Sequence, residues 1–270
     1  MPNLPLYLLT FVAYGVLAVF YWRAQLQGKD EAVVPRVLGY AILLPLVLHG
    51  YLLFGSLRVG GTLNMGLVSS ISMILWLTML VYWLAHFFYP LSSLKTLVLP
   101  LAAVASVLPA LFPKARPVLQ ATTWAFDAHV LVAMLAYSLF TIAALHAALM
   151  SLVEKSLHRA TLPRVLRNLP PLLTMETLLF RIIGVGFVLL TLTLASGVLF
   201  SEQIFGRPLQ FSHKTVFGFI SWVVFAVLLA GHQLRGWRGR TAVRWTMSGF
   251  IFLVLAYIGS QFVLEVILHR

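Results

Sequence analysis

Eight stretches of the chain are almost wholly apolar, and short polar stretches separate them. They lie at 4–22, 37–57, 64–86, 91–112, 127–152, 177–200, 214–234 and 245–267. Each reaches or approaches the roughly 20 residues that a helix needs to cross a bilayer. The hydrocarbon core holds no water to bond free N–H and C=O groups, so each run is predicted to be a helix, which satisfies its own backbone. The expected fold is an all-α integral membrane protein, a bundle of eight transmembrane helices in one membrane domain, residues 1–270. Helices one to five occupy 1–152. A basic linker, "VEKSLHRATLPRVLRNLPP", falls within 153–176, and helices six to eight fill 177–270.

The cations orient this bundle. The connections after the first, third, fifth and seventh runs hold thirteen Lys and Arg, among them Lys155, Arg159, Arg164 and Arg167 of the linker and Arg235, Arg238, Arg240 and Arg244 near the end. The opposite side holds six: Arg58, Lys114, Arg116, Arg207, Lys214 and Arg270. The richer side is expected to be cytoplasmic, which places both termini outside. The N-terminus "MPNLPLYLLTFVAYGVLAVFYWR" lacks an early positive charge and a small-residue cleavage site. It reads as a first membrane helix and not as a removable signal peptide.

Composition agrees with the pattern and narrows the chemistry. Of 270 residues, 61% are hydrophobic and 10% charged, against about 25% charged in an ordinary soluble domain. The net charge of +12 belongs to the membrane-flanking connections, so the partner is the lipid bilayer and no nucleic acid is expected. Cysteine is absent, which excludes thiolate metal sites and thiol redox chemistry by this chain. No HExxH, Gly-rich phosphate loop or GxSxG elbow occurs. The seven acids fall near the ends of the runs, and coupled transporters usually need an acid in mid-membrane. A transporter or metal-efflux accessory therefore has only Ser69, Ser70, Ser72 and Thr78 of the third run as a polar path.

Histidine is the remaining candidate. His129, His213 and His269 fall at outer ends of runs, and His86 and His232 at inner ends. His49 lies about 12 residues into an outward-running helix, roughly 18 Å along it at 1.5 Å per residue. A neutral imidazole is a good iron ligand, and two from different helices can hold a heme. Phe205 and Phe211 can wall it, and Arg207 and Lys214 can pair with its propionates. The plainer reading of each histidine is an interfacial residue or a helix–helix hydrogen bond, and pattern alone leaves heme, copper or neither open.

Three segments resemble a known family. "FDAHVLVAMLAYSLFTIAALHAAL", "RIIGVGFVLLTLTLASGVLF" and "LLAGHQLRGWRGRTAVRW" are similar to the CcsA-type cytochrome c assembly proteins, over roughly residues 60–270. The shorter YpjD/HemX-like branch, with eight helices and no large extra domain, looks nearest. The resemblance implies heme b carried within or across a bacterial inner (plasma) membrane and presented at the outer face. Partners would be other cytochrome c assembly or heme-synthesis proteins.

The family's outer platform is a loop of pattern WGxxWxWDPKE. Laid on it, Phe205-Gly206 takes the place of Trp-Gly, Leu209 and Phe211 the later Trp positions, Ser212 the Asp and His213 the Pro, while Lys214 keeps the Lys. The resemblance makes His129 the first outer ligand and puts His269 in the place of the second, with His213 as its rival. The expected iron pair is His129 with His213. His232 matches the family's membrane histidine, with His86 its partner by depth and His49 by type. All three Trp of the platform are replaced, so the alternative is a HemX-like regulatory or scaffold protein without synthase activity. The chain is not expected to be an enzyme.

Overall fold

The computed structural model describes residues 3–27, 36–59, 62–63, 65–89, 94–113, 124–158, 169–199, 201 and 212–267. Its elements are α1 (Leu4–Leu26), α2 (Arg36–Ala41), α3 (Leu43–Leu57), the two-residue strands β1 (Arg58–Val59) and β2 (Thr62–Leu63), α4 (Leu67–Ala85), α5 (Lys95–Leu111), α6 (Trp124–His158), α7 (Leu172–Leu199), α8 (His213–Arg235) and α9 (Gly239–Val254). Beyond α9 the helix continues to Ile267 through π turns at Leu255–Gly259 and Val263–Ile267, with Ser260–Phe262 between them.

All eight apolar runs are helical. Among the described residues seven helices are long and apolar enough to span a bilayer, and the protein is membrane-integral. The fourth run, α5, has 17 residues and two internal prolines, Pro100 and Pro109, each of which removes one backbone donor. The second run is broken at Ile42 between α2 and α3. Pro45 has no N–H to give to Ala41 O, which accounts for the interruption there. Within 153–176, α6 runs on to His158 and α7 begins at Leu172, directly after Pro170 and Pro171. Proline suits the N-terminal flank of a helix, where no intrahelical donor is needed. Arg58 pairs with Leu63 and Val59 with Thr62 in antiparallel register.

The chain divides into two compact units: Met1–Arg116 with Leu152–Leu172, and Pro117–Ser151 with Leu173–Arg270. In the first, α1 packs along α5, α5 along α4, α4 along α3, and α3 back on α1, so four helices close a ring. Two indoles of α4 fasten its neighbours. Trp76 Nε1 donates to Leu46 O (2.9 Å) and Trp83 Nε1 to Gly39 O (3.0 Å).

The second unit is an antiparallel bundle of α6, α7, α8 and α9. Its centre is the Phe140–Phe225 stack, with ring centroids 4.0 Å apart. Two glycines make room for it. A Cβ at Gly186 would come within 3.2 Å of the Phe140 ring, and one at Gly249 within 2.8 Å of the Phe225 ring. Lipid tails are as apolar as the side chains, so helix association here depends on close packing and on hydrogen bonds. Ser221 Oγ supplies one to Gly249 O (2.9 Å), Trp222 Nε1 another to Thr191 Oγ1 (2.9 Å), and Tyr137 Oη a third to Leu253 O (2.9 Å). The last of these falls where α9 passes into its first π turn. That turn shifts the backbone ladder by one residue, and the phenol bonds a carbonyl beside the shift.

Candidate functional site

The α8–α9 turn, "GHQLRGWRGR", is built around His232. Gly236 ends α8 with φ 64°, the left-handed region that favours glycine. Its N–H donates to His232 O and that of Trp237 to Gly231 O, both at 3.2 Å. The fold-back lays the Trp237 ring over Gly231, where no Cβ would fit. It also brings Trp237 O to 2.9 Å from His232 Nδ1. A carbonyl can only accept, so Nδ1 carries the proton and the lone pair sits on Nε2. The ring stacks on Phe180 of α7 with centroids 3.5 Å apart and planes 14° from parallel. One nitrogen is held by a backbone carbonyl and the other keeps its lone pair, the usual state of a metal-ligating histidine.

Glu176, in the second turn of α7, closes the same end. Its carboxylate accepts from Gly239 N (3.3 Å) and lies 3.4 Å from Arg238 Nε. An anion at the start of α9 complements the helix dipole. The Arg238 side chain is 63% exposed, so the ion pair itself contributes little.

His129 stands at the opposite end of the bundle, in the second turn of α6. Its Nδ1 lies 2.8 Å from Ser196 Oγ of α7, and Ser196 Oγ donates to Thr193 O (3.1 Å). The hydroxyl has one hydrogen, so when the Thr193 carbonyl takes it the oxygen accepts Nδ1–H from His129. That chain again leaves the lone pair on Nε2. Gly197 faces the ring, and a Cβ there would sit 3.5 Å from His129 Cε1, an ordinary van der Waals contact. His213 opens α8 at this same end and is exposed. Lys214 Nζ stands 5.3 Å over the Tyr257 ring.

His86 follows α4 in the first unit, stacked on Tyr82 with centroids 6.5 Å apart. His49, on α3 of that unit, is buried with Nε2 3.0 Å from Ser72 Oγ. Phe205, Arg207, Phe211 and His269 lie outside the described residues. Among the described residues no three His, Asp or Glu side chains gather to hold a metal. Sequence reasoning missed Ser196, Thr193, Phe180 and the Trp237 carbonyl. Phe180 lies near one end of "FRIIGVGFVLLTLTLASGVLF", and Thr193 and Ser196 lie near the other, but nothing local ties any of them to a histidine. His146 Nε2 bonds Met175 O (2.8 Å) between α6 and α7.

A family model described as "Cytochrome C assembly protein" matches residues 37–268. The chain is 35% identical over 139 residues to "Inner membrane protein YpjD" of Escherichia coli (strain K12), covering 52% of this chain and 52% of that protein. An "Uncharacterized 28.8 kDa protein in nifR3-like 5'region" of Azospirillum brasilense is 33% identical over 142 residues, 53% of this chain and 52% of that one. "Cytochrome c biogenesis protein CcsA" of Prochlorococcus marinus (strain MIT 9515) is 38% identical over 88 residues, 33% of this chain and 28% of that one. The chain thus spans about half the length of the first of these curated relatives and less of the last. A match that takes in seven of the eight apolar helices, α6 through α9 with their histidines among them, carries the assignment: this chain belongs to the cytochrome c assembly protein family.

Proposed function

We propose that the chain handles heme in cytochrome c assembly, holding heme b at the outer face of a bacterial inner membrane, with both termini on that side. His129 carries this reading. Its Nδ1 lies 2.8 Å from Ser196 Oγ, which also bonds Thr193 O, and a ring that donates Nδ1–H there offers Nε2 to iron. His213, at the same end of the same unit, is the second ligand. Lys214 beside it, with Arg207, supplies positive charge for propionates. Heme is cargo here: its iron would accept imidazole lone pairs, and its apolar face suits the interface of a membrane bundle. His232 has the same tautomer at the inner end and is a second loading point. Membership of the family and the wording of its relatives' names support heme as the cargo.

The test uses the full chain purified in detergent from heme-replete cells. A Soret band is expected, with heme b identified from its pyridine hemochrome. The band should fall strongly in His129→Ala and in His213→Ala. Ser196→Ala should keep the ligand but weaken heme retention by roughly 10–100-fold, the usual effect of removing a ligand's hydrogen-bond partner. Protein that carries no heme, or a band indifferent to both histidines, would overturn the proposal.

A second reading, a regulatory or scaffold protein of heme synthesis, is favoured by one feature. Phe205, Leu209 and Phe211 stand where the family's platform has Trp. In that case Lys155, Arg159, Arg164 and Arg167 would present the partner surface. Crosslinked partners should be lost when these cations are neutralised, and unchanged partners would sink it.

A further inference from the structure

Three helices of the first unit bring polar side chains together inside a membrane-spanning ring. Tyr14 of α1 is 0% exposed, His49 of α3 1% and Ser72 of α4 0%, and all three lie within spans. His49 Nε2 bonds Ser72 Oγ, and the Tyr14 and His49 rings meet edge to face, with centroids 5.9 Å apart and planes at 79°. Tyr14 Oη and His49 Nδ1 are both buried, and neither has a hydrogen-bond partner among the described residues.

Neither tautomer removes this deficit. If Ser72 donates to Nε2, Nδ1 is left as a buried N–H. If Nε2 donates to Ser72, Nδ1 is left as a buried lone pair. A neutral imidazole has one donor and one acceptor, and Ser72 satisfies only one of them. The phenol hydroxyl adds a second orphan beside it. Leaving a polar group unbonded in an apolar medium is unfavourable, and no bulk water reaches a bilayer interior. Two such groups on adjoining rings call for a shared ligand. A water molecule takes two to four polar partners, and the phenol hydroxyl and the imidazole Nδ1 offer two.

We infer that Tyr14 and His49 hold a bound water molecule between the phenol hydroxyl and the imidazole Nδ1. The site joins α1, which lies ahead of the family-matched residues 37–268, to α3 and α4 within them. His49 is thereby a hydrogen-bonding residue of the membrane interior and not an iron ligand. The inference is independent of heme binding at His129.

The full chain in lipid nanodiscs tests it in two ways. If the hydroxyl is bridged, Tyr14→Phe removes a bond and lowers the melting temperature, by roughly 2–4 °C for a loss of about 1 kcal/mol in a chain of this size. If the hydroxyl is a true orphan, Tyr14→Phe melts at or above the wild type, and the inference fails. The second readout needs no variant. X-ray radiolysis of bound water releases hydroxyl radicals locally. Tyr14 should therefore be oxidised several-fold faster than Tyr137, which is buried but slightly more exposed and bonds a carbonyl. Equal, low oxidation of both tyrosines overturns the water site. So does a Soret band that disappears in a folded His49→Gln protein, since that would give the ring to iron.

Discussion

Replacing Gly231 with alanine should unsettle the α8–α9 turn far more than its size suggests. A Cβ built there lies 2.8 Å from Trp237 Cζ3 and nearer still to Cδ2 and Cε3, where carbon atoms normally rest about 3.5–4.0 Å apart. The indole has little freedom to yield. Its backbone N–H is tied to Gly231 O, its carbonyl holds His232 Nδ1, and its ring leans on Trp245 with centroids 5.3 Å apart. Overpacking of this kind costs about 1–3 kcal/mol. Opening the turn forfeits about 1 kcal/mol more in one backbone hydrogen bond. Alanine returns about 0.5–1 kcal/mol through helix propensity. The net loss is about 2 kcal/mol, which corresponds to a fall of roughly 4–8 °C in melting temperature. The measurement is a thermal scan of detergent-purified protein at one fixed rate, read as loss of the monodisperse peak. Gly184→Ala is the control, because nothing lies within 4 Å of the position its Cβ would take. It should melt at or slightly above the wild type. If both variants melt alike, the close packing of Trp237 on Gly231 is refuted.

Tyr137→Phe should lose the bond to Leu253 O beside the first π turn. The same scan should fall by the equivalent of roughly 0.5–1.5 kcal/mol; an unchanged midpoint would show that water replaces the phenol. Orientation can be read directly, because the chain has no native cysteine. With Ser212→Cys and Arg240→Cys made separately, a membrane-impermeant maleimide applied to intact spheroplasts should label only the first. Labelling of Arg240→Cys alone would invert the bundle.

The eight helices were legible in the sequence because a bilayer allows few alternatives. A long apolar run with nothing to bond its backbone must bond itself, and only details moved. Pro100 and Pro109 sit in the shortest of the eight, Pro45 follows the break in the second, and α6 outlasts its apolar pattern by six residues. The kinds of residue with ligand chemistry were legible too, since a chain without cysteine and with few acids leaves mainly histidine. What each histidine does was not. His129 depends on Ser196, 67 positions away, His49 on Ser72 and Tyr14, and His232 on a carbonyl brought back by a left-handed glycine. Periodicity marks an inward face only when the outward face is polar. In lipid both faces are apolar, so which side of each helix turns inward was decided by helix-on-helix packing, and the His232 tautomer by the α8–α9 turn.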